Sequence, residues 1–102
     1  MCFTSNASFA SLSAILFFSL GTWINSILEK ASKEARWKGI FTITKEDLVS
    51  SDIVGNSHAS IADLAFTRVV GGNLVKVLAW YDNEMGYTYT LVRHVIEVGK
   101  LI

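Results

Sequence analysis

A carboxamide, a phenol, a lone thiol and a pair of adjacent hydroxyls are the groups in this 102-residue chain whose types and spacing bear on chemistry. Asn83 stands in the run Trp80-Tyr81-Asp82-Asn83-Glu84-Met85-Gly86-Tyr87. Its carboxamide both donates and accepts hydrogen bonds, which suits recognition of another carboxamide. The simpler role is to cap or extend a helix start beside Asp82. Tyr87 follows one helical turn later, so both side chains can face one cleft; a packed core tyrosine fits the same spacing. Cys2 is the sole cysteine. A nucleophilic thiol needs a neighbouring base or a helix N-terminus to form thiolate, and no histidine precedes His58. Cys2 therefore reads as an incidental terminal residue. One cysteine forms neither an internal disulfide nor a zinc site, and it points to a reducing, cytoplasmic compartment. Ser50 and Ser51 have no base or oxyanion constellation near them in sequence and read as loop hydrogen-bonders. With two histidines and no paired ligand spacing, no metal site is expected.

These groups need elements to hold them. Ile61 to Val70 and Leu74 to Tyr81 are β-prone runs, and Gly71-Gly72-Asn73 between them supplies the positive-φ positions of a tight hairpin. Asp82 stands as an N-cap, with Glu84 in the favourable first turn and Lys100 near the far end of the dipole, so a helix is expected from Asn83 to Gly99. Leu91, Val92, Val95 and Ile96 are its expected buried stripe, against Arg93, Glu97 and Lys100. His94 reads as a partly exposed residue of that helix. Upstream, Ile24, Ile27, Leu28, Ala31 and Ala35 recur at helical spacing, with Glu29–Lys33 and Lys30–Glu34 as i,i+4 pairs and Thr22 as a plausible N-cap. Trp37 to Ile43 alternates as a half-buried strand, with Gly39 weakening it or allowing a close backbone approach. Val49 to Val54 reads as an extended segment. The fold class is α+β: a partial, largely antiparallel sheet with a preceding helix and a long C-terminal helix.

Charge divides the chain. From Met1 to Leu28 no side chain is charged, and all eighteen Asp, Glu, Lys and Arg residues follow from Glu29. Residues 1–23 are set apart as an uncharged, Ser-rich leader of unclear origin: a foreign or frame-shifted stretch, a buried helix, or a membrane or targeting segment. The greasy core Ala14 to Leu20 is far shorter than the ~20 apolar residues of a membrane span. Nor does a Lys or Arg precede it, as orientation or a signal peptide would need. Nine basic against nine acidic side chains leave no electrostatic case for nucleic acid or an anionic membrane, and neutrality favours self-association.

Residues 24–102 resemble the C-terminal part of the catalytic domain of glyceraldehyde-3-phosphate dehydrogenases. The likeness rests on linked motifs in the family's order. Trp80 to Tyr87 is similar to W-Y-D-N-E-x-G-Y, Ser50-Ser51-Asp52-Ile53 to S-S-D-[FI], Gly72 to Lys76 to G-N-x-V-K, and Lys38-Gly39-Ile40 to L-K-G-I. The resemblance implies an NAD- or NADP-dependent oxidoreductase of glycolysis that oxidises and phosphorylates glyceraldehyde 3-phosphate through a thioester. It implies a cofactor-binding role at the nicotinamide for Asn83 and Tyr87, and a surface or subunit-contact role for His58. Cys2-Phe3-Thr4-Ser5-Asn6 comes near the family's S-C-T-T-N, but its spacing is one residue too long. The chain has no Gly-x-Gly-x-x-Gly to open a dinucleotide-binding helix, and no residue matches the catalytic histidine. The expectation is a C-terminal fragment, inactive alone and without tight cofactor binding, that associates with itself or with intact dehydrogenase subunits. The alternatives are a non-catalytic interaction module and a small membrane-attached protein.

Overall fold

A computed structural model describes residues 2–6 and 14–102, with side chains from Leu20 onward. Four strands form one sheet in the order β1-β4-β3-β2, made by β1 (Cys2–Asn6), β2 (Phe41–Thr44), β3 (Ser60–Val70) and β4 (Leu74–Trp80). β1 and β3 both run antiparallel to β4, and only the short β2 runs parallel to its neighbour β3. The helices are α1 (Ala14–Ser32), the single turn α2 (Ser50–Ile53) and α3 (Met85–Gly99). This is the expected α+β arrangement, with a helix ahead of the main hairpin and a long helix closing the chain.

The β3–β4 hairpin follows its turn chemistry. Gly71 and Gly72 take φ of 60° and 84°, the left-handed conformation that glycine adopts without a Cβ penalty. Further down, the register jumps between Asp63↔Leu78 and Arg68↔Lys76, so β3 bulges over residues 64–67. Side chains satisfy the backbone there. Asp63 Oδ1 accepts from Ala65 N, Asn25 Nδ2 donates to Leu64 O, and Arg68 Nη1 donates to the carbonyls of Ala65 and Thr67. The core is small, made of Ile53, Ile61, Ala62, Leu64 and Val75 around a fully buried Asp63.

Five expectations need correction. α1 starts at Ala14, so Thr22 is an interior residue whose carbonyl accepts from Ser26 Oγ rather than an N-cap. An uncharged run without proline gives a helix no reason to stop at residue 22. Ile24, Leu28 and Ala31 face the sheet half-buried, but Ile27 is exposed and Ala35 falls in a separate 3-10 turn, Ala35–Trp37. The strand expected from Trp37 begins only at Phe41, because Gly39 at φ 77° and the Ile40 N to Trp37 O bond close a turn first. Residues 50–53 are helical rather than extended: Asp52 Oδ2 reaches back to Val49 N, and Gly55 at φ 85° follows the turn.

The fifth correction concerns α3. Its only fully buried residue is Gly86, and Thr90 and Arg93 are half-buried, so the side turned to the body carries the polar groups. Leu91, Val92, Val95 and Ile96, expected as the buried stripe, are all exposed. The amphipathic pattern is present and faces outward. Among the described residues no helix is long and apolar enough to cross a membrane.

Candidate functional site

The site is a turn where β4 ends and α3 begins, and one carboxylate builds it. Asp82 Oδ1 accepts from the backbone N–H of Glu84 and of Met85 at 2.9 Å each, while its own carbonyl accepts from Gly86 N at 3.0 Å. That is the N-cap role expected of Asp82, and the first turn is thereby fixed although regular helix is assigned only from Met85. The second oxygen, Oδ2, accepts from Gly55 N at 2.8 Å and ties the turn to the loop after α2. These bonds, that to Gly55 first, then Met85 and Glu84, hold the Asp82 carboxyl below the usual carboxylate range.

Packing tightens the same joint. A Cβ on Gly86 would lie 2.7 Å from the His58 carbonyl oxygen, so only glycine lets α3 approach the loop this closely. His58 is held in place through Asn56, whose Oδ1 accepts from His58 N and lies 2.9 Å from His58 Nδ1. Behind the turn, Trp80 Nε1 donates to the buried Asp63 Oδ2 at 2.9 Å. Farther along α3, Arg93 Nη1 donates to Lys38 O at 3.1 Å, crossing the turn that Gly39 makes. Sequence reasoning missed Asp63, Gly55, Gly86 and Arg93 as supports. A glycine three residues after Asn83 was the one visible signal, since it lowers helix propensity where nothing but a close approach repays it.

Asn83 and Tyr87 flank this joint, and both side chains are exposed. Among the described residues no hydrogen bond engages the Asn83 carboxamide, so its donor and acceptor are open to a ligand. The other candidates lie elsewhere. His94 is exposed on α3, Ser50 and Ser51 are exposed in α2, and Cys2 belongs to β1, with its side chain outside the described residues. A separate concavity of about 340 Å³ lies between α1 and β3, lined by Asn25, Glu29, Lys45 and Leu64 among others. Lys45 Nζ bonds both Glu29 oxygens at 3.1 Å and holds that carboxyl below its ordinary value. No residue of the Asp82–Tyr87 turn lines it.

Comparison with known proteins gives this geometry a context. Residues 20–83 match the family described as glyceraldehyde 3-phosphate dehydrogenase, C-terminal domain; the match ends at Asn83 and leaves Tyr87 beyond it. The chain is 51% identical over 69 residues to a glyceraldehyde-3-phosphate dehydrogenase of Borreliella burgdorferi, covering 68% of this chain and 21% of the relative. It is 46% identical over 69 residues to that of Thermotoga maritima, covering 68% and 20%. It is 48% identical over 81 residues to that of Streptococcus pyogenes, covering 76% and 23%. The chain thus spans about a fifth of the length of the curated relatives it matches.

Proposed function

The chain belongs to the glyceraldehyde 3-phosphate dehydrogenase C-terminal domain family, and from that premise we propose that its β4–α3 turn is the nicotinamide-facing part of an NAD- or NADP-dependent aldehyde oxidoreductase. In this reading Asn83 pairs its carboxamide with the carboxamide of the nicotinamide, and Tyr87 supports the ring from one turn along α3. The observation that carries it is the exposed, unengaged Asn83 carboxamide on a turn that Asp82 and Gly86 hold rigidly. A bound nicotinamide would supply the hydride-accepting carbon. The chain's own residues orient the ring, since a carboxamide pair fixes rotation as well as position.

In this reading the 102 residues alone are expected not to turn over glyceraldehyde 3-phosphate with NAD and phosphate, since no histidine precedes His58 and no Gly-x-Gly-x-x-Gly is present. Asp82 is committed to backbone N–H groups, and the His58 imidazole lies against Asn56. The test is a titration of nicotinamide followed by NMR. Two new hydrogen bonds of ~1 kcal/mol each imply only weak, roughly tens-of-millimolar binding. The Asn83 side-chain NH2 resonances should shift, and Asn83→Ala should abolish the shifts at Tyr87. Unmoved Asn83 signals, or Tyr87 shifts that persist in Asn83→Ala, would remove the assignment.

A further inference from the structure

β4 has the composition of a strand that other chains join readily. Its residues, Leu74-Val75-Lys76-Val77-Leu78-Ala79-Trp80, carry a single charge and no proline, and Val75, Val77 and Trp80 are strong β-formers. At the edge of a sheet, such a strand would offer a row of unpaired N–H and C=O groups to any extended chain. β1 covers that row. It lies against β4 in unbroken antiparallel register, Cys2↔Leu78, Phe3↔Val77, Thr4↔Lys76, Ser5↔Val75 and Asn6↔Leu74. The covering residues fall outside 20–83, the part that matches the dehydrogenase domain family, so the contact is made by the uncharged leader.

We propose that the outer edge of β4 is a strand-acceptor surface and that β1 is its cap in cis: residues 2–6 fill the place where an extended segment of another polypeptide would otherwise add by antiparallel pairing. Two observations mark β1 as a cap. It moves the open edge of the sheet from a mostly apolar strand to a shorter one in which Thr4, Ser5 and Asn6 are polar, and a short polar edge recruits further strands poorly. β1 is also the end strand and pairs with β4 alone, whereas β3 holds β4 from the other side between Leu74 and Trp80. Fewer bonds must open to release it, so β1 detaches before the β3–β4 hairpin does. The cap is independent of the nicotinamide reading, because it concerns residues 74–78 and leaves the Asp82 turn as it is.

The test uses the full 102-residue chain. Cys2 is level with Leu78, and directly opposed residues of antiparallel strands have Cα atoms ~4.5–5.5 Å apart, a gap that a disulfide spans. Leu78→Cys should therefore close an intrachain disulfide under mild oxidation, whereas Leu74→Cys, at the far end of the pairing and ~13 Å away, should not. Release is forced by combining Thr4→Pro with Ser5→Pro, because one of two successive residues directs its N–H at the neighbouring strand. The readouts are amide exchange over residues 74–78 and binding of a synthetic peptide copying residues 1–8 with Cys2→Ser. The double-proline variant should lose protection at the alternate amides directed at β1 and keep it at residues 60–63, where β3 pairs with β2. It should also bind the peptide and regain the lost protection, while oxidised Leu78→Cys should bind none. Should the double-proline variant fail to fold, Leu78→Cys alone keeps the test open: oxidation should slow exchange over residues 74–78 and reduction should restore it. Equal disulfide yield at positions 74 and 78, exchange over 74–78 unchanged by the prolines or by oxidation, no peptide binding by a folded double-proline variant, or peptide binding by oxidised Leu78→Cys would each overturn the proposal.

Discussion

Replacing Gly86 by alanine sets two effects of known size against each other. In a helix the change gains up to ~1 kcal/mol of intrinsic propensity, less so close to the N-terminus. Against this, the new methyl would lie 2.7 Å from the His58 oxygen, 3.6 Å from its carbonyl carbon and 3.8 Å from Ala59 Cα. The closest of these is a backbone oxygen, in a loop already held by Asn56 and by the Asp82–Gly55 bond. It cannot swing aside as a side chain would. Overpacking of this kind costs ~1–3 kcal/mol, so the net expectation is a loss of roughly 1 kcal/mol. Gly99→Ala is the internal control, since nothing lies within 4 Å of a Cβ there and only the propensity gain remains. The assay is urea unfolding at one fixed protein concentration, with the slope checked for constancy. Gly86→Ala should lower the midpoint and speed amide exchange at Gly55, while Gly99→Ala should hold or raise the midpoint. If both variants raise it equally, the close approach of α3 to His58 is refuted.

Acid should loosen the same joint through Asp82. Its folded pKa is depressed, so its stabilising contribution is complete above the ordinary aspartate value of about 3.9 and fades as pH falls through the lower folded value. The Gly55 amide resonance should therefore titrate below that value in the wild type and stay flat in Asp82→Asn. This contrast separates Asp82 from Glu29 and Glu97, whose carboxyls are also lowered, by Lys45 and by Lys100 respectively. At the buried end, Asp63→Ala strands the half-buried Trp80 indole N–H at ~1–3 kcal/mol and leaves the exposed Ala65 N–H to water, whereas Asp63→Asn keeps a carbonyl oxygen as acceptor. Chemical denaturation should rank wild type above Asp63→Asn and Asp63→Ala lowest. An Asp63→Ala midpoint equal to the wild type would show that Asp63 does not hold Trp80.

What could be read from the residues was what local chemistry decides. Gly71-Gly72 demanded left-handed backbone and received it, and Asp82 capped the helix it precedes. The errors arose where a non-local partner decides. The parallel pairing of β2 with β3 begins at Phe41, and nothing between Trp37 and Ile43 announces where its neighbour lies. α2 hid because its start and stop signals, Asp52 and Gly55, are compressed into one turn. The stripe of α3 was read correctly as apolar and wrongly as buried, because periodicity states which face is apolar but not what covers it. Of the proposed site, Asn83 and Tyr87 were singled out through their motif. Their scaffold was not, since Gly55 and Asp63 become supports only through bonds spanning 27 and 17 residues of sequence.

Our central proposal is that this chain keeps the nicotinamide contact and too little else to bind the cofactor. The two hydrogen bonds of an Asn83 carboxamide pair offer ~1 kcal/mol each, against roughly 8 kcal/mol for micromolar affinity. Isothermal titration of NAD into the 102-residue chain tests this directly. The expected result is no saturable heat at micromolar to low-millimolar NAD, from wild type and Asn83→Ala alike. A micromolar isotherm from the wild type would contradict the account.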